Sequence, residues 1–306
     1  MTIDDEIAAF IARTESFYPA DAIALSLAEQ RRRYDRLCAA FRQPRPEGLE
    51  VQDAALPSAG DAIPIRRYRP ADARAAAVVY YHGGGFVVGG LDSHDDVCAE
   101  IAATTWLEVI AVDYRLAPEH PYPACFDDAL AACRALAAEG RPLVLAGDSA
   151  GGNLAAAVCL AARGDPRPPR GQVLIYPALG GDALGLASYT EQAEAPLLTA
   201  RDCAIYMELR AGGPPPQNDP YFAPLACQDL AGAPPCIAFA AEADPLRDDA
   251  VEYVRRLSAA GVEAQCQVEA GLVHSYLRAR SMSRRAAESF AAICAAILWL
   301  SGTTGA

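Results

Sequence analysis

The chain contains no lysine: all 26 of its basic residues are arginine. Mechanisms built on a lysine nucleophile, a Schiff base or a phosphate-loop lysine are therefore excluded. No apolar run reaches the roughly 18 residues that a membrane-crossing helix needs. The opening MTIDDEIAAFIART is acidic and interrupted by charge, without the basic start and unbroken apolar stretch of a signal peptide, so a cytoplasmic location is expected. Positive charge is in deficit, and a net charge of −13 argues against nucleic acid or an anionic membrane as partner. The ten cysteines include no C-x-x-C pair, and most sit among Ala, Leu and Val, as Cys159 does in AAAVCLAA and Cys294 in AAICAAI. Buried free thiols are expected, rather than disulfides or a thiolate metal site.

What is present is apolar and periodic. A 306-residue chain that is 52% hydrophobic can bury a sizeable core. Short apolar runs read as strands at 49–56, 63–69, 76–81, 107–114, 143–147, 172–177, 236–243 and 264–270. Helical patterns occupy 94–104, 125–139, 152–163, 247–260 and 283–300. Near-continuous apolar strands alternating with helices indicate an α/β fold, its mostly parallel sheet covered on both faces. The first two strands follow one another without a helix, so that edge should be antiparallel. Two regions break the rhythm. Residues 1–45 read as helices, with 22–41 amphipathic, and 180–220 is punctuated by Gly and Pro. Both are placed over the carboxyl ends of the strands as a cap on a catalytic domain spanning 46–306, where ligands bind in open α/β sheets.

The segment LVLAGDSAGGNL (143–154) raises a chemical question. A G-x-S-x-G pattern is weak alone in a chain with 23 glycines, but here it falls between a buried strand and a helix. A nucleophilic serine held in a strained turn there needs small neighbours, and Gly147, Ala150, Gly151 and Gly152 supply them. The helix that follows also points its N-terminal N–H groups at the serine. A phosphate-cradling loop would need a lysine, and a plain N-cap serine would not need glycines on both sides. Ser149 is therefore read as a nucleophile.

A serine nucleophile needs a base. Of the four histidines, only His274 follows Ser149, as the chain order serine, acid, histidine of strand–elbow–helix hydrolases requires. Asp244, ending the strand CIAFAAEA and followed by Pro245, is the preferred acid. Glu242 lies inside the strand pattern, and Asp248 suits the first turn of the next helix. Oxyanion donors are expected from YYHGGGF (80–86), with Gly83, Gly84 and Ala150 turning N–H groups toward the reacting carbonyl. His82 and Gly85 are then structural parts of that loop, as Gly147 and Gly151 are of the serine turn.

On HGGGF (82–86), DYRLAPEHPYPA (113–124), GDSAGG (147–152), NDPYFAPL (218–225), DPLRD (244–248) and His274, the sequence resembles the bacterial hormone-sensitive-lipase-like esterases of the α/β-hydrolase superfamily, from about residue 45 to the C-terminus. The resemblance implies an eight-stranded sheet, a helical cap built from the N-terminus and from the region after the sixth strand, and a serine hydrolase without metal or cofactor. A modest cap region with no strongly apolar lid adds the expectation of a carboxylesterase acting on short- to medium-chain acyl esters. The resemblance also assigns Ser149, Asp244 and His274 as the triad, with a homodimer as one possible assembly. Two departures stand out. Ser275-Tyr276 follow the histidine where the family commonly has Gly-Phe, and Ala241-Glu242-Ala243 precede Asp244 where a glycine is often found. The same machinery would serve an amidase or another acyl hydrolase. A ligand-binding receptor that has lost turnover is a rival from another class, against which the retained His274 argues.

Other conspicuous residues have plainer readings. DSHDD (92–96) suits a helix start, with Asp92 or Ser93 as cap, better than a metal site. His120 sits between prolines as a loop contact, and Arg31–Arg33 form a solvated helix face. Phe86, Tyr189, Tyr206 and Tyr276 are candidates for a substrate pocket, with ordinary packing as the alternative.

Overall fold

The chain folds around one eight-stranded sheet; the computed structural model describes residues 3–19, 21–57 and 60–303. Met1, Thr2 and Ala20, in the segment expected to form helices, lie outside the described residues. The strands are β1 (Leu49–Leu56), β2 (Ile63–Pro70), β3 (Ala77–Tyr81), β4 (Glu108–Val112), β5 (Leu143–Asp148), β6 (Gly171–Ile175), β7 (Cys236–Ala243) and β8 (Ala264–Val273). Their order is β1-β2-β4-β3-β5-β6-β7-β8. β1 pairs antiparallel with β2 and β2 with β4, and every later pairing is parallel. The antiparallel edge and the parallel remainder agree with the sequence reading.

Helices α1 (Asp5–Phe17) and α2 (Leu27–Phe41) precede the sheet. Then come α3 (Asp95–Thr105), α4 (Ala124–Ala138), α5 (Ala150–Ala162), α6 (Ser188–Glu191), α7 (Ala200–Ala211), α8 (Arg247–Ala259) and α9 (Arg284–Ser301). Alternation along the strands sorts the core into two layers. Ala77, Val79 and Tyr81 of β3 face a cluster with Phe126, Leu154 and Tyr253 of α4, α5 and α8. Val78 and Tyr80 face the other way, toward Val97, Phe290 and Ile297 of α3 and α9 and toward Phe10 and Leu37 of α1 and α2. Central strands buried on both faces cannot alternate apolar with polar residues, which is why they read as continuous apolar runs.

The helix ends follow from their capping residues. Asp4 accepts from the Ile7 N–H at 2.9 Å to start α1. Thr199 and Asp202 cap α7 reciprocally, and Gly212, with φ 69°, ends it. DSHDD departs from its reading as a capped helix start. Ser93 closes a short turn on Gly90 instead, and α3 begins at Asp95 with no side-chain cap. Its acids are ion-paired: Asp95 with Arg45 and Arg66, and Asp96 with Arg280. No helix among the described residues is long and apolar enough to cross a membrane.

Candidate active site

Ser149 occupies the single residue between β5 and α5, with φ 54° and ψ −116°. A non-glycine residue held there stores of order 1–3 kcal/mol of backbone strain, which the surrounding packing must over-determine. That packing is close. A Cβ on Gly151 would overlap the Tyr81 carbonyl, and one on Gly147 would overlap the Gly151 carbonyl, so both positions admit only glycine. Hydrogen bonds fix the rest. The Ser149 N–H donates to the Ile175 carbonyl at 2.8 Å, and the Ser149 carbonyl accepts from Asn153 at 3.1 Å.

His274 leaves the end of β8 and Asp244 the end of β7, so adjacent strand ends carry both to the serine. The His274 Nδ1–H donates to Asp244 Oδ2 at 2.7 Å. That contact leaves Nε2 as an acceptor, 3.0 Å from Ser149 Oγ. Asp244 is fully buried, and its Oδ1 accepts from the Leu246 N–H at 2.9 Å. The rival acids are occupied elsewhere. Glu242 accepts from the Gly271 N–H at 2.7 Å, and Asp248 binds Arg247 and the Ser188 N–H. The structure thus brings Ser149, His274 and Asp244 into one relay.

One donor position needs correcting. The Gly83 N–H, expected to face the substrate, donates instead to Asp148 Oδ1 at 3.0 Å. Gly84 and Gly85 line the cavity beside Ser149, whereas Gly83 does not, and neither of their N–H groups bonds to another described residue. Of the three loop glycines, Gly84 and Gly85 are therefore the ones that present N–H groups without a described partner beside Ser149. Gly85, assigned to loop structure alone, has φ 60° and is pressed by the Tyr206 ring, which an added Cβ would meet at 2.5 Å.

The carboxylate that redirects Gly83 organises much of the site. Asp148 accepts from the Tyr80 hydroxyl at 2.8 Å and from His94 Nε2 at 3.2 Å as well. Burial opposes its ionisation, but His94, Tyr80 and Arg278 more than offset that and hold the carboxyl well below the usual range. The sequence gives His94 no such role, because the acids around it point only to a helix start. His82 anchors the loop as expected. Its Nδ1–H donates to the Gly83 carbonyl at 2.8 Å and its ring stacks on Tyr114 at 4.3 Å. Burial, reinforced by the neighbouring His94, pushes its pKa down to about 4.

A cavity of about 450 Å³ opens onto Ser149 and His274. Its walls come from Phe10, Tyr18 and Tyr34 on the N-terminal side, from Leu197 and Tyr206 on the other, and from Tyr176 and Arg278 beneath. Of the four aromatic candidates, only Tyr206 lines it. Phe86 takes φ 64° and turns its ring under the Arg210 guanidinium, 3.9 Å away. Tyr189 packs against Leu198 and Cys203 and reaches Asp249. Tyr276 is turned inward, its hydroxyl accepting from Ser289 at 2.8 Å. His120 is exposed on its loop.

A family profile described as the alpha/beta hydrolase fold matches residues 78–278. The chain belongs to the α/β-hydrolase family. This hydrolase is 41% identical to esterase LipI of Mycobacterium tuberculosis over 77% of its own length and 78% of the relative's. It is 34% identical to an ethyl acetate hydrolase of Pseudomonas putida, over 97% and 99% of the two chains. A solved esterase of the bacterial hormone-sensitive lipase family superposes with a TM-score of 0.87 at 29% identity, covering 99% of this hydrolase and all of that chain. The resemblance read from HGGGF and GDSAGG therefore holds.

Proposed function

We propose that this hydrolase is a carboxylesterase working through Ser149, His274 and Asp244. The observation that carries the reading is the relay of 3.0 and 2.7 Å from Ser149 Oγ to Asp244, ending at the floor of an apolar-walled cavity. His274 Nε2 takes the proton of Ser149 Oγ as that oxygen attacks the ester carbonyl. The carbonyl oxygen becomes an oxyanion and accepts from the Gly84, Gly85 and Ala150 N–H groups. Collapse breaks the bond to the alcohol oxygen, which receives the proton from His274, and leaves the acyl group on Ser149. Water then attacks that acyl group with His274 again taking the proton. The second collapse frees the acid and restores the serine. Asp244 holds the imidazole tautomer and stabilises the imidazolium.

The N-terminal helices and the segment around 180–220 act as a cap over the strand ends, since both supply walls of the cavity. A volume of about 450 Å³ suits short- to medium-chain acyl esters, small-molecule substrates of the kind named for the Pseudomonas putida relative. Eight of the ten free cysteines are buried, in keeping with a reducing cytoplasm. The reading is tested with p-nitrophenyl acetate, butyrate, octanoate and dodecanoate, using the native chain and Ser149→Ala. Turnover should peak on the shorter chains and fall by several orders of magnitude in the variant. Inertness on all four esters with ligand binding retained would replace an enzyme with a receptor.

A further inference from the structure

Among the described residues three arginines are buried: Arg210, Arg278 and Arg280. A buried charge is costly unless it is paired, and of the three Arg280 alone has ionic partners among the described residues. Arg280 pairs with Asp96 and Glu100. Arg210 lies among the rings of Phe86, Tyr122 and Phe222, away from the cavity. Arg278 differs. It is only 8% exposed, it lines the cavity that holds Ser149, and no described carboxylate approaches it within salt-bridge distance. Its partners are neutral: the Ser93 carbonyl at 3.1 Å, the Tyr34 hydroxyl at 3.0 Å and the Tyr34 ring, 5.3 Å below the guanidinium. Asp148, whose field it feels, already has its oxygens engaged by Tyr80, Gly83 and His94. A guanidinium carries five N–H donors, so capacity remains for a ligand.

Resting on the esterase reading, we infer that Arg278 binds a carboxylate in the acyl portion of the substrate, making monoesters of short dicarboxylic acids the preferred class. The acyl portion is the useful place for such an anchor, because it stays on Ser149 after the alcohol has left. One contact then positions both half-reactions. The acids at the cavity mouth do not prevent entry. Glu15 and Glu194 are exposed, and their repulsion is screened within about 8 Å at physiological ionic strength, while the half-buried Asp202 also lines the cavity with one oxygen accepting from the Thr199 N–H and hydroxyl. Arg278 is shielded from that screening by its burial.

The test compares methyl hydrogen glutarate with methyl pentanoate, followed by pH-stat titration, in the native chain, Arg278→Met and Arg278→Lys. The native enzyme should favour the hemiester, and Arg278→Met should lower the ratio of the two kcat/KM values at least about tenfold, with Arg278→Lys in between. An arginine that only ties Tyr34 to Ser93 would change both esters alike, and an unaltered ratio overturns the proposal. Should Arg278→Met fail to fold, the native enzyme still decides. Glutarate should inhibit methyl pentanoate hydrolysis competitively and pentane-1,5-diol should not; inhibition no stronger than the diol's overturns the proposal. Hydrolysis of methyl pentanoate without preference for the hemiester leaves the esterase reading standing and removes the anion site alone. If neither ester is turned over, calorimetry of methyl hydrogen glutarate on Ser149→Ala, with and without Arg278→Met, decides: binding that requires Arg278 supports the site, and absence of binding refutes it.

Discussion

Replacing Asp148 by Asn changes one oxygen for an amide group and removes one charge, yet the structure makes it a severe substitution. Oδ1 accepts from both the Tyr80 hydroxyl and the Gly83 N–H, and an amide oxygen there can keep both bonds. The amide nitrogen must then face His94 Nε2, 3.2 Å from the former Oδ2. His94 cannot easily adapt by turning over its tautomer. Ser93 Oγ donates to the Gly90 carbonyl at 2.7 Å, so it meets His94 Nδ1, 2.8 Å away, as an acceptor. Both ring nitrogens thus face acceptors in the native chain, and Asp148 is the charged one. The variant leaves that ring and Arg278 without their shared negative charge. Breaking a buried pair from one side costs about 3–5 kcal/mol, on the order of 5–10 °C in Tm for a chain of this size. Because Gly83 leads into Gly84 and Gly85, we also expect kcat on p-nitrophenyl butyrate to drop about ten- to a hundredfold with a smaller change in KM. Thermal unfolding by calorimetry and steady-state kinetics check both, with Tyr80→Phe, which removes a single hydrogen bond, as the milder reference at about 1 kcal/mol. A Tm within 2 °C of native, together with unchanged kcat, would refute the argument.

Three further outcomes follow from the same geometry. Gly151→Ala would drive its Cβ into the Tyr81 carbonyl, so it should abolish ester hydrolysis or soluble expression, whereas Gly164→Ala, with open space around it, should do neither. Burial pushes the Asp249 carboxyl up to about 7 against the N–H groups of Leu179 and Gly181, so the folded chain holds that proton longer than the unfolded chain does. Its stabilising contribution is full below the unfolded value near 3.8 and is lost as pH rises through about 7. Asp249→Asn should therefore flatten this part of the pH dependence of denaturant stability, and an unchanged slope would contradict it. Tyr206→Ala removes a wall beside Gly85 and the 3.4 Å contact with the Tyr18 hydroxyl. It should raise KM for butyrate severalfold and move the chain-length optimum toward octanoate, as initial-rate series would show.

Much of this site is local in sequence, and that part was readable. Small residues around Ser149 report a turn too tight for side chains, and a strand followed by an alanine-rich helix reports where that turn sits. The order serine, acid, histidine then leaves His274 as the base and selects Asp244 at a strand end. What stayed hidden depends on contacts between distant segments. Three consecutive glycines look alike in sequence, and only the Asp148 carboxylate, 65 residues away, decides which N–H turns inward. Phe86 and Tyr276 adjoin the motifs, but backbone in the left-handed region at Phe86 and Ser275 aims both rings into the core. The helical pattern begins at 152, two residues inside α5, because glycines such as Gly151 and Gly152 favour helix poorly. Close packing against β3 and Pro177 makes those glycines necessary there. His94 and Arg278 carry no motif of their own, and their roles emerge only when β5, the 91–94 turn and the loop after β8 converge.

The most direct test of the account is stoichiometric labelling with a fluorophosphonate ester, read by intact mass and peptide mapping. Such reagents trap a serine that a neighbouring base has activated. One adduct per chain should form on Ser149, with loss of ester hydrolysis in step with labelling, no adduct in Ser149→Ala and slow labelling in His274→Ala. An adduct at another residue, or ester turnover that survives with Ser149 fully modified, would contradict it.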